Sequence, residues 1–303
     1  MGAADIVPGV SGGTVALVLG HYQRLIGAIS HIDSHVLSLV RKRQWSAAWK
    51  HIDGRFLFAL GLGIVIGIGG LASLMHWLLE HRFAETMAVF FGLVLASGWV
   101  VAKIVHRWSA GCIAAMLASA FVAWLIGSLS PLGGEPSVPY LFLCASIAIC
   151  AMILPGISGA FVLLLLGAYH PVTGMIKQFT QLDISVDIVF RLSVFGVGCL
   201  LGLAVFSRFL RYLLEHHSNM TFAALLGLML GSLRKLYPLQ LPTPETADLE
   251  FKERQWQVVA PSQWPGSITV LLVLIIASAA GVLLLNAFAA NRKPLSASKT
   301  PAH

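Results

Sequence analysis

The sequence predicts an all-α polytopic membrane protein, folded as an inverted repeat in which each half is a re-entrant hairpin plus about three transmembrane helices. Three observations carry that expectation. The 303-residue chain is 57% hydrophobic and 11% charged, with a mean hydropathy of +0.82, whereas soluble domains carry roughly 25% charged residues. Several apolar runs reach or approach the ~20 residues that cross a bilayer as a helix. One unusual stretch is also written twice. It reads Ile6-Val7-Pro8-Gly9-Val10-Ser11-Gly12-Gly13-Thr14 and returns 147 residues later as Ile153-Leu154-Pro155-Gly156-Ile157-Ser158-Gly159-Ala160-Phe161.

A Pro-Gly-x-Ser-Gly break opens backbone N–H and C=O groups that hydrocarbon cannot satisfy. Such breaks persist at membrane depth only where they face protein or line a wet cavity. Two of them in corresponding positions point to the binding site of a transporter. The similarity continues at an offset of 135, where Gly61, Gly63 and Gly67 fall on Gly196, Gly198 and Gly202. Leu78-Leu79-Glu80-His81 falls on Leu213-Leu214-Glu215-His216, and Thr86, Gly92 and Ser97 fall on Thr221, Gly227 and Ser232. We divide the chain into repeat 1 (1–130), repeat 2 (131–290) and a polar tail (291–303), all within one membrane domain.

Taken in order, Thr14–Ser30 is an apolar segment that carries Arg24. Residues 31–55 form a basic connector with Trp45 and Trp49, whose amphipathic character places it on the membrane surface. Phe56–Leu79, Thr86–Val105 and Cys112–Leu129 read as spans. At 14 residues, Tyr140–Ile153 is short for a crossing and favours a re-entrant arm, followed by the second break and Ala160–Ile176. Leu192–Leu214 and Phe222–Leu236 are spans, Pro238–Pro265 is a hydrophilic loop, and Ile268–Ala290 is the last span. Nothing before the first break matches Tyr140–Ile153, so the first hairpin is expected to be one arm short.

An odd number of crossings per repeat gives the halves opposite orientations. The basic 31–55 loop, Lys103 and Arg107 belong inside, and the cation-free 130–139 loop belongs outside. By the same count Arg208, Arg211, Arg292 and Lys293 lie inside, while Lys177, Arg191, Arg234 and Lys235 fall outside, against the trend. The net charge of +7 is spread over loops and helix ends, which argues for topology and against a nucleic-acid partner. Cys112, Cys144, Cys150 and Cys199 lie in apolar runs and read as small core residues, without metal-type spacing. Met1 runs directly into the first motif, so no cleavable signal peptide is expected.

The run Met1-Gly-Ala-Ala-Asp-Ile-Val-Pro-Gly-Val-Ser-Gly-Gly-Thr14, together with Leu154-Pro-Gly-Ile-Ser-Gly-Ala160, resembles the bacterial polyprenyl-phosphate transporter family over nearly the whole chain. That resemblance implies a multi-pass protein of the bacterial cytoplasmic (inner) membrane. It would flip undecaprenyl phosphate from the outer to the inner leaflet, recycling the carrier for cell-envelope synthesis. The implied partner is that lipid. No cofactor is expected, and coupling to a proton or to sodium is left open, as is a homo-oligomer.

Sheltering a phosphate needs backbone N–H groups, hydroxyls and a cation. Pro8, Gly9, Ser11, Gly12, Gly13 and Thr14 in the first break, with Pro155, Gly156, Ser158 and Gly159 in the second, are the candidate binding residues. Helix N-termini attract anions, glycines let backbone approach closely, and the hydroxyls donate. Arg24, Arg55 and Arg191 are candidate phosphate cations, set against a plain interfacial role. Asp5 would bind a coupling cation or cap a helix. The pairs Glu80-His81 and Glu215-His216 are candidates for proton coupling, set against an interfacial position. No catalytic residue or metal site is expected, because Ser11 and Ser158 lack a neighbouring base. The rival readings are an ion-coupled small-anion transporter, an intramembrane lipid phosphatase, and a scaffold.

Overall fold

The computed structural model describes residues 12–128, 136–181, 185–244 and 256–291. The first part holds α1 (Gly12–Val18), α2 (Tyr22–Ser30), α3 (Ser34–Arg41), α4 (Trp45–His51), α5 (Gly54–His81), α6 (Phe83–Ile104) and α7 (Ala110–Ser128). The second holds α8 (Val138–Ile153), α9 (Gly159–Leu165), α10 (Tyr169–Thr180), α11 (Val186–His216), α12 (Ser218–Leu236) and α13 (Ile268–Asn291). By length and composition Gly54–Leu71, Phe83–Ile104 and Val186–His216 can cross a membrane. Ala110–Ile126, Val138–Ile153 and Ile268–Leu284 are shorter apolar helices. Val65, Leu200 and Ile276 lie exposed on such helices, as lipid-facing side chains do. The chain is a helical membrane protein.

Three sequence expectations change. The loop 238–265 is not wholly irregular, since β1 (Gln240–Pro242) pairs antiparallel with β2 (Trp256–Val258). Its apolar residues give it a face to bury: Leu239, Val259 and Trp264 pack with Ala84, Ala88 and Leu271, and Trp256 stacks on Phe83 at 3.7 Å. The segments read as continuous over Thr14–Ser30 and Ala160–Ile176 are each broken by a glycine. Gly20 (φ +71°) and Gly167 (φ +70°) take the left-handed conformation that side chains resist. Each ends its helix in the same paired bonds, Gly20 N–H to Leu17 and His21 N–H to Ala16, Gly167 N–H to Leu164 and Ala168 N–H to Leu163. The bend between α9 and α10 is 112°.

Small residues let helices approach closely where lipid supplies no hydrophobic drive. Gly92 on α6 lies against Ile275 and Ser278 of α13, and Gly227 on α12 lies against Met116 and Ser119 of α7. The partners Met116/Ile275 and Ser119/Ser278 are themselves 159 residues apart, a third offset that the sequence reading did not find. Helix α6 therefore packs on α13 as α12 packs on α7, each across the chain's midpoint. Thr86 Oγ1 donates to Arg82 O at 2.7 Å as Thr221 Oγ1 donates to His217 O at 2.9 Å. Helix α8 lies along α11, where a Cβ on Gly198 would meet Phe142 O at 2.7 Å and one on Gly202 would meet Ser146 O at 2.7 Å.

Candidate functional site

The second break is held by the first part of the chain. Helix α8 ends at Ile153, Leu154 is extended, Pro155 is fully buried, and Gly156 turns the backbone at φ +87°. A Cβ at Gly156 would lie 2.8 Å from Leu228 O and 2.9 Å from Met229 Cα of α12, so both conformation and space demand glycine. Its N–H donates to Thr14 Oγ1 of α1 at 3.1 Å, a buried bond between residues 142 apart. On the other side Tyr22 Oη of α2 donates to Ile153 O at 3.2 Å. Thr14 and Tyr22 thus satisfy one donor and one acceptor that the break sets free, as buried backbone groups require. Ser158 then caps α9, its Oγ accepting from Phe161 N–H at 3.4 Å.

Beside Ser158 runs an apolar cavity of about 270 Å³, lined by Ala148, Ile149, Met152, Leu163 and Phe195 among others. A hydroxyl at the edge of an apolar groove suits a ligand with one polar head and a hydrocarbon body. Gly12, Gly13 and Thr14 are buried at the start of α1, and Gly159 is buried against α8 with no room for a Cβ before Ala148 O at 2.6 Å. Asp5, Pro8, Gly9 and Ser11 lie outside the described residues. Helices α1 and α9 have only seven residues each. So short a dipole is a weak anion site, which leaves more of the expected pull to the hydroxyls and a cation.

The three arginines picked from sequence are not gathered at this break. Arg24 makes a two-pronged pair with Asp53 at 2.6 and 3.1 Å and lies over Phe56 at 4.5 Å. That pairing holds the Asp53 carboxyl below the usual carboxylate range. Arg191 pairs with Asp187 at 2.8 Å and reaches Pro136 O at 3.3 Å, while Arg55 is exposed. The Glu-His pairs sit at exposed helix ends. His81 Nδ1 lies 3.1 Å from Trp77 O and His216 Nδ1 lies 3.0 Å from Tyr212 O, each ring stacked on that same aromatic residue. Glu215 pairs with Arg211 at 3.1 Å. Among the described residues no group of three His, Cys, Asp or Glu forms a metal cluster.

Sequence reasoning missed Tyr22 and Lys235. Tyr22 had a signal, because Tyr169 stands at the same offset of 147 behind the second glycine turn. Lys235 Nζ lies over the Phe161 ring at 2.7 Å, on the residue whose N–H bonds to Ser158. Its signal was fainter, a lysine set between buried Ser232 and buried Leu236 at the end of an apolar helix.

Comparison with known proteins shows the family. The family described as undecaprenyl phosphate translocase-like matches residues 1–250. A polyprenyl-phosphate transporter of Vibrio cholerae is 39% identical over 95% of this chain and 94% of its own length. One of Staphylococcus aureus is 34% identical over 80% of this chain and 84% of its own length. No solved structure matches. The chain belongs to the undecaprenyl phosphate translocase-like family.

Proposed function

We propose that this member of the translocase-like family carries a polyprenyl phosphate across the bacterial cytoplasmic membrane, from the outer to the inner leaflet. It would thereby return the lipid carrier to cell-envelope synthesis. The observation that carries the reading is the buried bond from Gly156 N–H to Thr14 Oγ1, which ties the second break to the end of the first repeated stretch, beside an apolar groove. The phosphate binds at the hydroxyl-lined centre and the prenyl chain lies along the groove. The relatives' names support the substrate class.

The matched contacts of α6–α13 and α12–α7 support two repeats of opposite orientation, each with a broken, re-entrant segment. Rocking one against the other would expose the centre first outward and then inward. The phosphatase reading is disfavoured: Ser158 Oγ is engaged in capping its own helix, with no base hydrogen-bonded to it among the described residues. A small-anion transporter has no use for an apolar groove next to the polar centre.

The test is transbilayer movement of undecaprenyl phosphate in proteoliposomes, read with an outside-only phosphate-lipid binder. Loss of outer-leaflet lipid faster than in protein-free vesicles supports the proposal. Identical rates, or release of inorganic phosphate, contradict it.

A further inference from the structure

The centre joined by Thr14 and Gly156 has hydroxyls and backbone groups, while Arg24 and Arg191 pair with Asp53 and Asp187 and Arg55 is exposed. A phosphate bearing one to two negative charges requires a cation as well, and α12 brings one. Gly156 rests on Leu228 and Met229 of α12, and Lys235 stands six residues further along the same helix, about 9 Å at 1.5 Å per residue. Its side chain is half-buried, with Nζ over the ring of Phe161 at 2.7 Å. Phe161 in turn gives its N–H to Ser158.

Two ordinary explanations for this lysine fit poorly. A lysine in the last turn of a helix often serves its free carbonyls. Here Gln240 Nε2 already donates to Lys235 O at 3.1 Å and to Tyr237 O at 2.6 Å. A snorkelling cation turns outward, as the neighbouring Arg234 does in lying exposed over Trp124 at 5.2 Å. Lys235 turns inward instead, and an ionisable group directed into a membrane bundle is usually functional. The position 135 residues earlier is Val100, so this cation belongs to one repeat only.

We infer that Lys235 is a phosphate-binding residue of this transporter, its ammonium resting on the Phe161 ring until a phosphate monoester enters beside Ser158. The inference rests on the polyprenyl-phosphate reading above. A ring face holds an ammonium more weakly than a phosphate does, so the ligand draws Lys235 off the ring without breaking a salt bridge. Ser158, whose hydroxyl still has its own hydrogen to donate, supplies the second contact.

The experiment measures binding of undecaprenyl phosphate, undecaprenol and inorganic phosphate to full-length protein in nanodiscs. Wild type binds the phosphate lipid and not undecaprenol; inorganic phosphate competes only weakly if the lipid is the ligand and fully if free phosphate is. Lys235→Gln weakens phosphate-lipid binding at least tenfold, whereas Lys235→Arg and Phe161→Leu stay within threefold. Unchanged binding by Lys235→Gln overturns the inference. So does an equal loss in Phe161→Leu, which would make Lys235 a clamp for α9. Should Lys235→Gln fail to fold, amine labelling of wild type decides. Undecaprenyl phosphate shields Lys235 at least fivefold and undecaprenol does not; equal labelling overturns the inference. Failure of wild type to bind any of the three contradicts the transporter reading itself, and this inference with it.

Discussion

Helices α5 and α11 carry the same glycines 135 residues apart and use them differently. Gly198 on α11 lies so close to α8 that a Cβ would stand 2.7 Å from Phe142 O, while its counterpart Gly63 on α5 has nothing within 4 Å. Ser146 Oγ and Cys150 Sγ seal the α8–α11 contact by donating to Gly198 O at 3.0 Å and Gly202 O at 3.6 Å. The same residue is thus a packing requirement in one helix and a spectator in the other. What a glycine contributes is decided by what stands opposite it, and a repeat in sequence does not guarantee a repeat in contacts.

Substitutions can break or sharpen that contrast. The largest effect is expected at Gly156→Ala, which combines a positive φ with contact against backbone on α12. The two costs together come to about 3 kcal/mol or more, and the variant should fail to accumulate as folded protein in detergent. Gly20→Ala, equally left-handed but in open space, should lose only about 1–2 kcal/mol. Next comes the pair that defines the contrast. Gly198→Ala should lower the melting free energy by about 1–3 kcal/mol. Gly63→Ala should leave it unchanged or raise it by up to ~1 kcal/mol through helix propensity. Equal melting shifts for the two would dissolve the distinction.

A smaller effect is expected at Ser158→Ala, which removes the α9 cap and should lose about 1 kcal/mol, read as a modest drop in melting temperature. The smallest concerns the connector. Asp33 Oδ1 accepts from Val36 N–H and His35 N–H at 3.0 Å, and these bonds, with His51 nearby, hold its carboxyl below the usual carboxylate range. A depressed carboxylate stabilises the fold at pH above its unfolded value, near 3.9. That stability is lost as pH falls through the lower folded value. Proteolytic nicking of residues 31–53 should therefore rise below about pH 4, on top of a smaller rise below about pH 6.5 from His31, whose charged form burial and Arg211 disfavour.

Much of this architecture was legible in the sequence. The apolar runs gave the helices, Leu154-Pro-Gly-Ile-Ser158 marked the break between α8 and α9, and the offset of 135 led to positions with matching bonds, such as Thr86 and Thr221. The glycine turns after α1 and α9 were overlooked because one glycine inside an apolar run leaves hydropathy almost unchanged, although its left-handed φ ends a helix. The third offset of 159 stayed hidden because the 238–265 loop lengthens the second repeat before α13. The arginines misled because charge in a sequence shows no partner, and the carboxylates of Asp53 and Asp187 occupy Arg24 and Arg191. Lys235 was overlooked because the crossing count set it outside with Lys177, Arg191 and Arg234, as one more charge at a helix end.

We propose one working centre where Thr14, at the end of the first repeated stretch, meets Gly156 of the second break. The direct test is undecaprenyl phosphate translocation by Thr14→Val and Thr14→Ser in proteoliposomes, with melting temperature as the control. Valine keeps the shape and leaves a buried N–H without its acceptor, a loss of about 1–3 kcal/mol. The account predicts roughly a tenfold slower rate for Thr14→Val and near wild-type rate for Thr14→Ser, which keeps the hydroxyl. Full translocation by Thr14→Val would contradict it.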